Sequence, residues 1–147
     1  MTGNAYQDRT DRFARMLMRQ AAWPAALVVA ATVLAPVAAS GRGAFETLRA
    51  TTALSVSAAG AAAVLALSAL LAFDALLFRV MAGHEDEASG GAAVDDMLVR
   101  MRLKPAPSAT RSLEERMAGT SRLLFKQRTA LALFAAALLV AGFWAPR

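Results

Sequence analysis

Three stretches without a single charged residue, Gln20–Gly41, Ala50–Phe73 and Thr129–Pro146, constrain this chain more than any other feature. A bilayer core of about 30 Å is crossed by about 20 apolar residues in a helix, with a range of about 17–25. The first run matches that length, the second leaves room for tilt, and the third is short unless Gln127 and a snorkelling Arg128 extend it. In lipid a backbone must satisfy its own hydrogen bonds, so each run is expected to be helical. The chain is 57% hydrophobic and 18% charged, whereas soluble chains average about 45–50% apolar and about 25% charged. An ordinary soluble globule is excluded. The expected fold class is an all-α integral membrane protein. Its parts are three transmembrane helices, an N-terminal interfacial amphipathic helix, and a small cytoplasmic helical layer between spans two and three.

Basic residues orient the spans. Arg9, Arg12, Arg15 and Arg19 precede span one, and nine Lys and Arg residues lie between Arg79 and Arg128. With three spans these groups share a side, giving thirteen basic residues there against Arg42, Arg49 and Arg147 opposite. Positively charged loops stay in the cytoplasm, so the N-terminus is expected inside and the C-terminus outside. Trp23 and Trp144 suit the two interfaces as aromatic anchors. Arginine outnumbers lysine fourteen to two and alanine dominates the spans. That pattern reads as the codon bias of a GC-rich bacterial genome, which places the chain in a bacterial inner membrane. A cleavable leader is the competing reading of the first run, with Val37-Ala38-Ala39 as the small-residue site. The uncharged run exceeds the usual leader core of about 7–15 residues, and Pro36 sits close to the site, so an uncleaved span is preferred.

The segments outside the spans carry their own patterns. In residues 1–19, Phe13, Met16 and Leu17 begin an i, i+3, i+4 stripe that Gln20 completes at i+7. Arg9, Arg12, Arg15 and Arg19 flank it, as in a basic helix lying on anionic lipids of the inner leaflet. The plainer alternative is a lead-in that only sets topology. Pro24 is expected near the start of span one (residues 20–41), where proline costs little. A short external loop, 42–49, leads to span two, 50–73. No breaker follows until Gly83, so its helix is expected to continue to about residue 82. Asp74 is read as a solvated interfacial residue because no other span offers it a partner.

Residues 83–112 are expected to form a cytoplasmic loop. His84 and the neighbouring Glu85, Asp86 and Glu87 have metal-ligand side chains, but consecutive residues converge poorly on one ion, and a flexible acidic loop is preferred. A short helix, 94–104, follows. Val94, Met97, Leu98 and Met101 form its apolar stripe, Asp95 and Asp96 sit at its start, and Arg100, Arg102 and Lys104 at its end, as the helix dipole favours. Pro105-Ala106-Pro107 ends it. The stripe is expected to pack on neighbouring helices or on the membrane, in preference to a dedicated partner groove. Ser112-Leu113-Glu114-Glu115 matches a capping box. From there a helix is expected over 113–128, entering span three at 129–146, with Gly119 a weak point.

Chemistry is sparse. The chain has no cysteine and one histidine, His84. Thiolate metal sites, disulfides and thiol nucleophiles are thereby excluded, and no paired-histidine site can be built from one copy. No phosphate loop, metalloprotease motif or nucleophile elbow is present. No catalytic residue, cofactor or metal is expected, and no small-molecule substrate is evident. The net charge of +5 is arranged around apolar spans without aromatics for base stacking, so nucleic acid is not an expected partner. The partners expected are anionic lipids and other integral membrane subunits or the chain itself. In span two, Ser57, Ala59, Gly60, Ala61 and Ala63 bring small residues to every face. The pairs Ser57/Ala61 and Ala59/Ala63 permit close helix approach, although compositional bias accounts for them equally well.

The functional expectation is a non-catalytic accessory or assembly subunit of a larger respiratory, photosynthetic, transport or secretion complex. The alternatives are a holin-like or pore-forming homo-oligomer and a membrane-anchored regulator that binds a cytoplasmic partner through helix 94–104.

Overall fold

A computed structural model describes residues 3–39, 48–103 and 112–143. The expected loop at 42–49, the Pro105-Ala106-Pro107 break and the Trp144 anchor lie wholly or mostly outside these residues. Those described form four α-helices and no strand: α1 (Gly3–Ala39), α2 (Leu48–Ala82), α3 (Glu87–Arg100) and α4 (Leu113–Phe143). Three segments, Ala5–Ala35, Thr51–Ala82 and Leu113–Gly142, are long and apolar enough to cross a membrane. The chain divides into two compact units: Met1–Gln20 with Leu70–Leu123, and Ala21–Ala69 with Leu124–Arg147.

In the first unit the beginning of α1 packs against the end of α2 and the start of α3. Tyr6, Thr10, Ala14 and Leu17 are buried, spaced so that they share one helix face. This corrects the expected stripe. Leu17 belongs to the buried face, but Met16 is 42% exposed, and Phe13 meets Phe78 edge to face, ring centroids 4.9 Å apart. The buried face of this segment packs on protein, with Phe13 against Phe78 and Tyr6 beside Met81 and Gly90. A second correction concerns Pro24, which lies deep inside α1 and is buried. The helix continues through it at the loss of one backbone donor.

α3 is also displaced from expectation. It starts at Glu87 and ends at Arg100, so the supposed flexible flank is its first turns. Asp86 is the cause: its Oδ1 accepts from the Ser89 amide at 2.8 Å, satisfying a donor that the helix start leaves orphaned. Gly90 and Gly91 are buried. At the other end the Leu103 amide donates to the Leu98 carbonyl and the Arg102 amide to the Val99 carbonyl, the two bonds of a Schellman motif. Arg102 accordingly has a left-handed backbone, φ 55°. The helix thus stops by its own hydrogen bonds before reaching the prolines.

α4 opens with a reciprocal cap. The Glu115 amide donates to Ser112 Oγ at 3.2 Å, and the Ser112 amide donates to Glu115 Oε2 at 3.1 Å. Glu87 adds a longer-range cap by accepting from the Leu113 amide. In the second unit Val28, Ala61, Val64 and Phe134 form the core. A Cβ on Gly60 would lie 3.2 Å from both Cα and Cβ of Phe134, so the absence of a side chain there lets α2 and α4 approach closely. Gln127 Nε2 donates to Ser68 Oγ at 2.8 Å between the same helices, buried from solvent.

Candidate functional cleft in the first unit

The first unit contains a cleft of about 230 Å³ between the end of α2, α3 and the start of α4. Leu77, Phe78 and Met81 of α2 and Val94 and Leu98 of α3 form its apolar walls. Asp74 of α2 and Glu115, Arg116, Gly119 and Thr120 of α4 bring polarity to it. The arrangement follows from helix periodicity: Asp74, Leu77, Phe78 and Met81 recur at i, i+3, i+4 and i+7, and Arg116, Gly119 and Thr120 at i, i+3 and i+4.

Two polar contacts hold the cleft. Arg116 Nη2 donates to Asp95 Oδ2 at 2.8 Å, with the two side chains only 12% and 6% exposed. A buried charge pair of this kind is tolerated because each ion supplies the other's lost hydration. Thr120 Oγ1 donates to Asp74 Oδ2 at 2.9 Å. The same hydroxyl lies 3.1 Å from the Arg116 carbonyl oxygen, but it has one proton, and the carboxylate is both nearer and the stronger acceptor. Asp74 is therefore not a freely solvated interfacial residue. It is half-buried and has a partner on α4, in correction of the expectation that no other helix could supply one. Among the described residues no cation lies within ion-pair reach of it. Arg116, which lines the cleft, pairs with Asp95. Gly119 completes the lining with an opening: a Cβ built there meets nothing within 4 Å.

Around the cleft the acidic connection is tied down. Gln7 Nε2 donates to the His84 carbonyl at 3.0 Å, and His84 Nδ1 lies 2.9 Å from the Val80 carbonyl oxygen. The Asp86 carboxyl is held below the usual carboxylate range by the Ser89 backbone amide, reinforced by the Ser89 hydroxyl. Among the described residues no group of three or more His, Asp or Glu side chains could hold a metal ion.

The residues singled out from sequence scatter. Val94 is buried and Leu98 half-buried at the cleft, whereas Met97 and Met101 are exposed. Arg9, Arg12, Arg15 and Arg19 are all exposed. Arg15 pairs with Asp11 at 2.5 Å and Arg9 with Glu114 at 3.6 Å, while Arg12 Nε donates to the Asp8 carbonyl at 3.3 Å. On α2, Ser57 and Ala61 are buried, Gly60 is half-buried against Phe134, and Ala59 and Ala63 are exposed. Sequence reasoning missed the Asp95–Arg116 pair and the Asp74–Thr120 bond. The signal available for the first is Asp95 beside Val94 of the apolar stripe, at a position that also complements the helix dipole. No known protein family, curated protein or solved structure matches this chain.

Proposed function

We propose that the chain is a small non-catalytic protein of a bacterial inner membrane, acting as an accessory or assembly subunit that packs against a larger membrane complex. Its N-terminus and the 83–112 connection lie in the cytoplasm and its C-terminus in the periplasm. The thirteen-to-three basic asymmetry supports that orientation, and exposed arginines such as Arg12 and Arg19 are available to anionic headgroups.

The observation that carries the reading is the division of small residues around α2. Ser57, Gly60 and Ala61 serve the chain's own packing, whereas Ala59 and Ala63 remain exposed. A smooth outward ridge of this kind gains little from lipid and permits close approach by another helix. A second reading, the membrane-anchored regulator, is favoured by Met97, Val99, Met101 and Leu103, which are exposed together on and after the end of α3. Flexible methionine surfaces suit adaptable protein contacts.

Purification of the full chain at native expression tests both. Replacing Ala59 and Ala63 together by leucine should reduce co-purification of different membrane subunits, partially, since such contacts contribute about 1 kcal/mol. Replacing Met97 and Met101 by serine should leave that recovery intact if the accessory reading holds. A homo-oligomer with no other subunit would point instead to the pore-forming class. Unchanged recovery after the leucine substitutions would overturn the α2 argument. Reporter fusions at Met1 and Arg147 test the orientation, and a cytoplasmic signal at Arg147 would contradict three spans.

A further inference from the structure

We propose that the cleft of the first unit binds a small organic ammonium ion with an apolar body, the cation resting on Asp74 and the body against the Phe78, Met81, Val94 and Leu98 walls. This goes beyond the accessory reading and does not depend on which complex the chain serves.

Charge selects the sign of the ligand. Asp74 is half-buried, and among the described residues its one hydrogen-bond partner is Thr120, which is neutral. The Arg116 guanidinium at the same cleft is balanced by Asp95. Glu115 adds a second carboxylate to the lining. The cleft therefore presents a net negative end within a partly dehydrated wall, where a charge interaction is stronger than in water. An anion would meet the Asp74 carboxylate and no uncommitted cation.

Shape and lining select the rest of the ligand. The volume of about 230 Å³ lies below the roughly 300–1,000 Å³ of drug-sized sites, which suits one ring or short chain attached to the cationic group. Phe78 lines the cleft, and an aromatic wall favours a quaternary or protonated amine through the ring quadrupole. Gly119 bears on the space at the cleft. Its Cβ position is empty to 4 Å, so no neighbouring atom requires glycine there, although glycine weakens a helix relative to alanine. The effect of its missing side chain is to leave space in the cleft beside Thr120 and Asp74.

The probe is benzyltrimethylammonium, titrated calorimetrically into the full-length protein in a non-ionic detergent, with empty micelles as the blank. Phenylmethanesulfonate, of similar shape and opposite charge, is the control. The expected result is saturable one-to-one binding of the cation and none of the sulfonate. Asp74→Asn, which keeps an acceptor for Thr120, should weaken binding at least tenfold. Gly119→Leu, which fills the opening without meeting a neighbour at its Cβ, should do the same while retaining the wild-type helical circular dichroism. The two variants act by different routes, so misfolding of one leaves the other decisive. Absence of saturable binding to the wild type, equal binding of the sulfonate, or undiminished binding by either folded variant would overturn the proposal. Micelles doped with phosphatidylethanolamine or phosphatidylglycerol identify the source. Displacement of the probe by the ethanolamine lipid alone places the ammonium in the bilayer, and displacement by neither places it in solution. Displacement by phosphatidylglycerol contradicts cation recognition.

Discussion

Gly90→Ala tests the packing of the first unit at its tightest point. A Cβ on Gly90 would lie 2.8 Å from the Tyr6 hydroxyl, 2.9 Å from the Met81 carbonyl oxygen and 3.2 Å from Met81 Cα. The tyrosine can swing away, but two of the three atoms are backbone of α2, and relieving them requires α3 to move off α2. Overpacking of this type costs about 1–3 kcal/mol. Against it stands the gain in helix propensity from glycine to alanine, about 1 kcal/mol. Gly119→Ala supplies the comparison, because it makes the same chemical change in a helix with nothing within 4 Å of the new carbon. Subtracting one from the other cancels the propensity gain and leaves the clash. Gly90→Ala should therefore be about 1–3 kcal/mol less stable than Gly119→Ala. The assay is reversible chemical unfolding of the full chain in detergent, followed by circular dichroism. Combining Gly90→Ala with Tyr6→Phe should recover only part of the loss, since the Met81 backbone contacts persist. If Gly90→Ala equals or exceeds Gly119→Ala in stability, α3 does not approach α2 as described and the reasoning fails.

The Asp95–Arg116 pair gives an asymmetric expectation: Asp95→Ala should cost about 3–5 kcal/mol by removing a carboxylate from a buried guanidinium, whereas Asp95→Leu with Arg116→Met should cost much less. The same unfolding assay distinguishes them, and equal losses would argue that the pair is solvated. Arg102→Gly should stabilise the chain by about 0.5–1 kcal/mol, because a left-handed C′ position disfavours a side chain; a loss of stability would show that the arginine makes a contact worth more than its strain. Asp86 sets a pH dependence. Its folded pKa is depressed below the ordinary 3.8 by the Ser89 hydrogen bonds, so its contribution is fully present above 3.8 and is lost as pH falls through the lowered value. Asp86→Ala should thus be less stable than wild type at neutral pH, with the difference closing in strong acid, and a pH-independent gap would refute the capping role.

The sequence by itself determined the helical class, the three apolar segments, the C-terminal end of α2 and the start of α4. Those features depend on residues within a turn or two of one another. A run of uncharged side chains needs no knowledge of its neighbours, and Ser112 and Glu115 cap the same helix start from three residues apart. The start of α3 was equally local, but the glycines that follow Asp86 obscured it. Composition there implied mobility, while burial of Gly90 against Tyr6 and Met81 makes the missing side chains a condition of packing. Tertiary structure alone decided the rest. The apolar stripe of α1 through Phe13, Met16 and Leu17 was legible, but the buried face runs through Tyr6, Thr10, Ala14 and Leu17, because rotation about the helix axis is set by what Phe78 and Met81 present to it. Asp74 meets Thr120 across 46 residues and Asp95 meets Arg116 across 21. Nothing periodic in the chain encodes such pairings. They exist because a half-buried charge must find a partner among whichever helices are brought beside it, and only the packed fold specifies which those are.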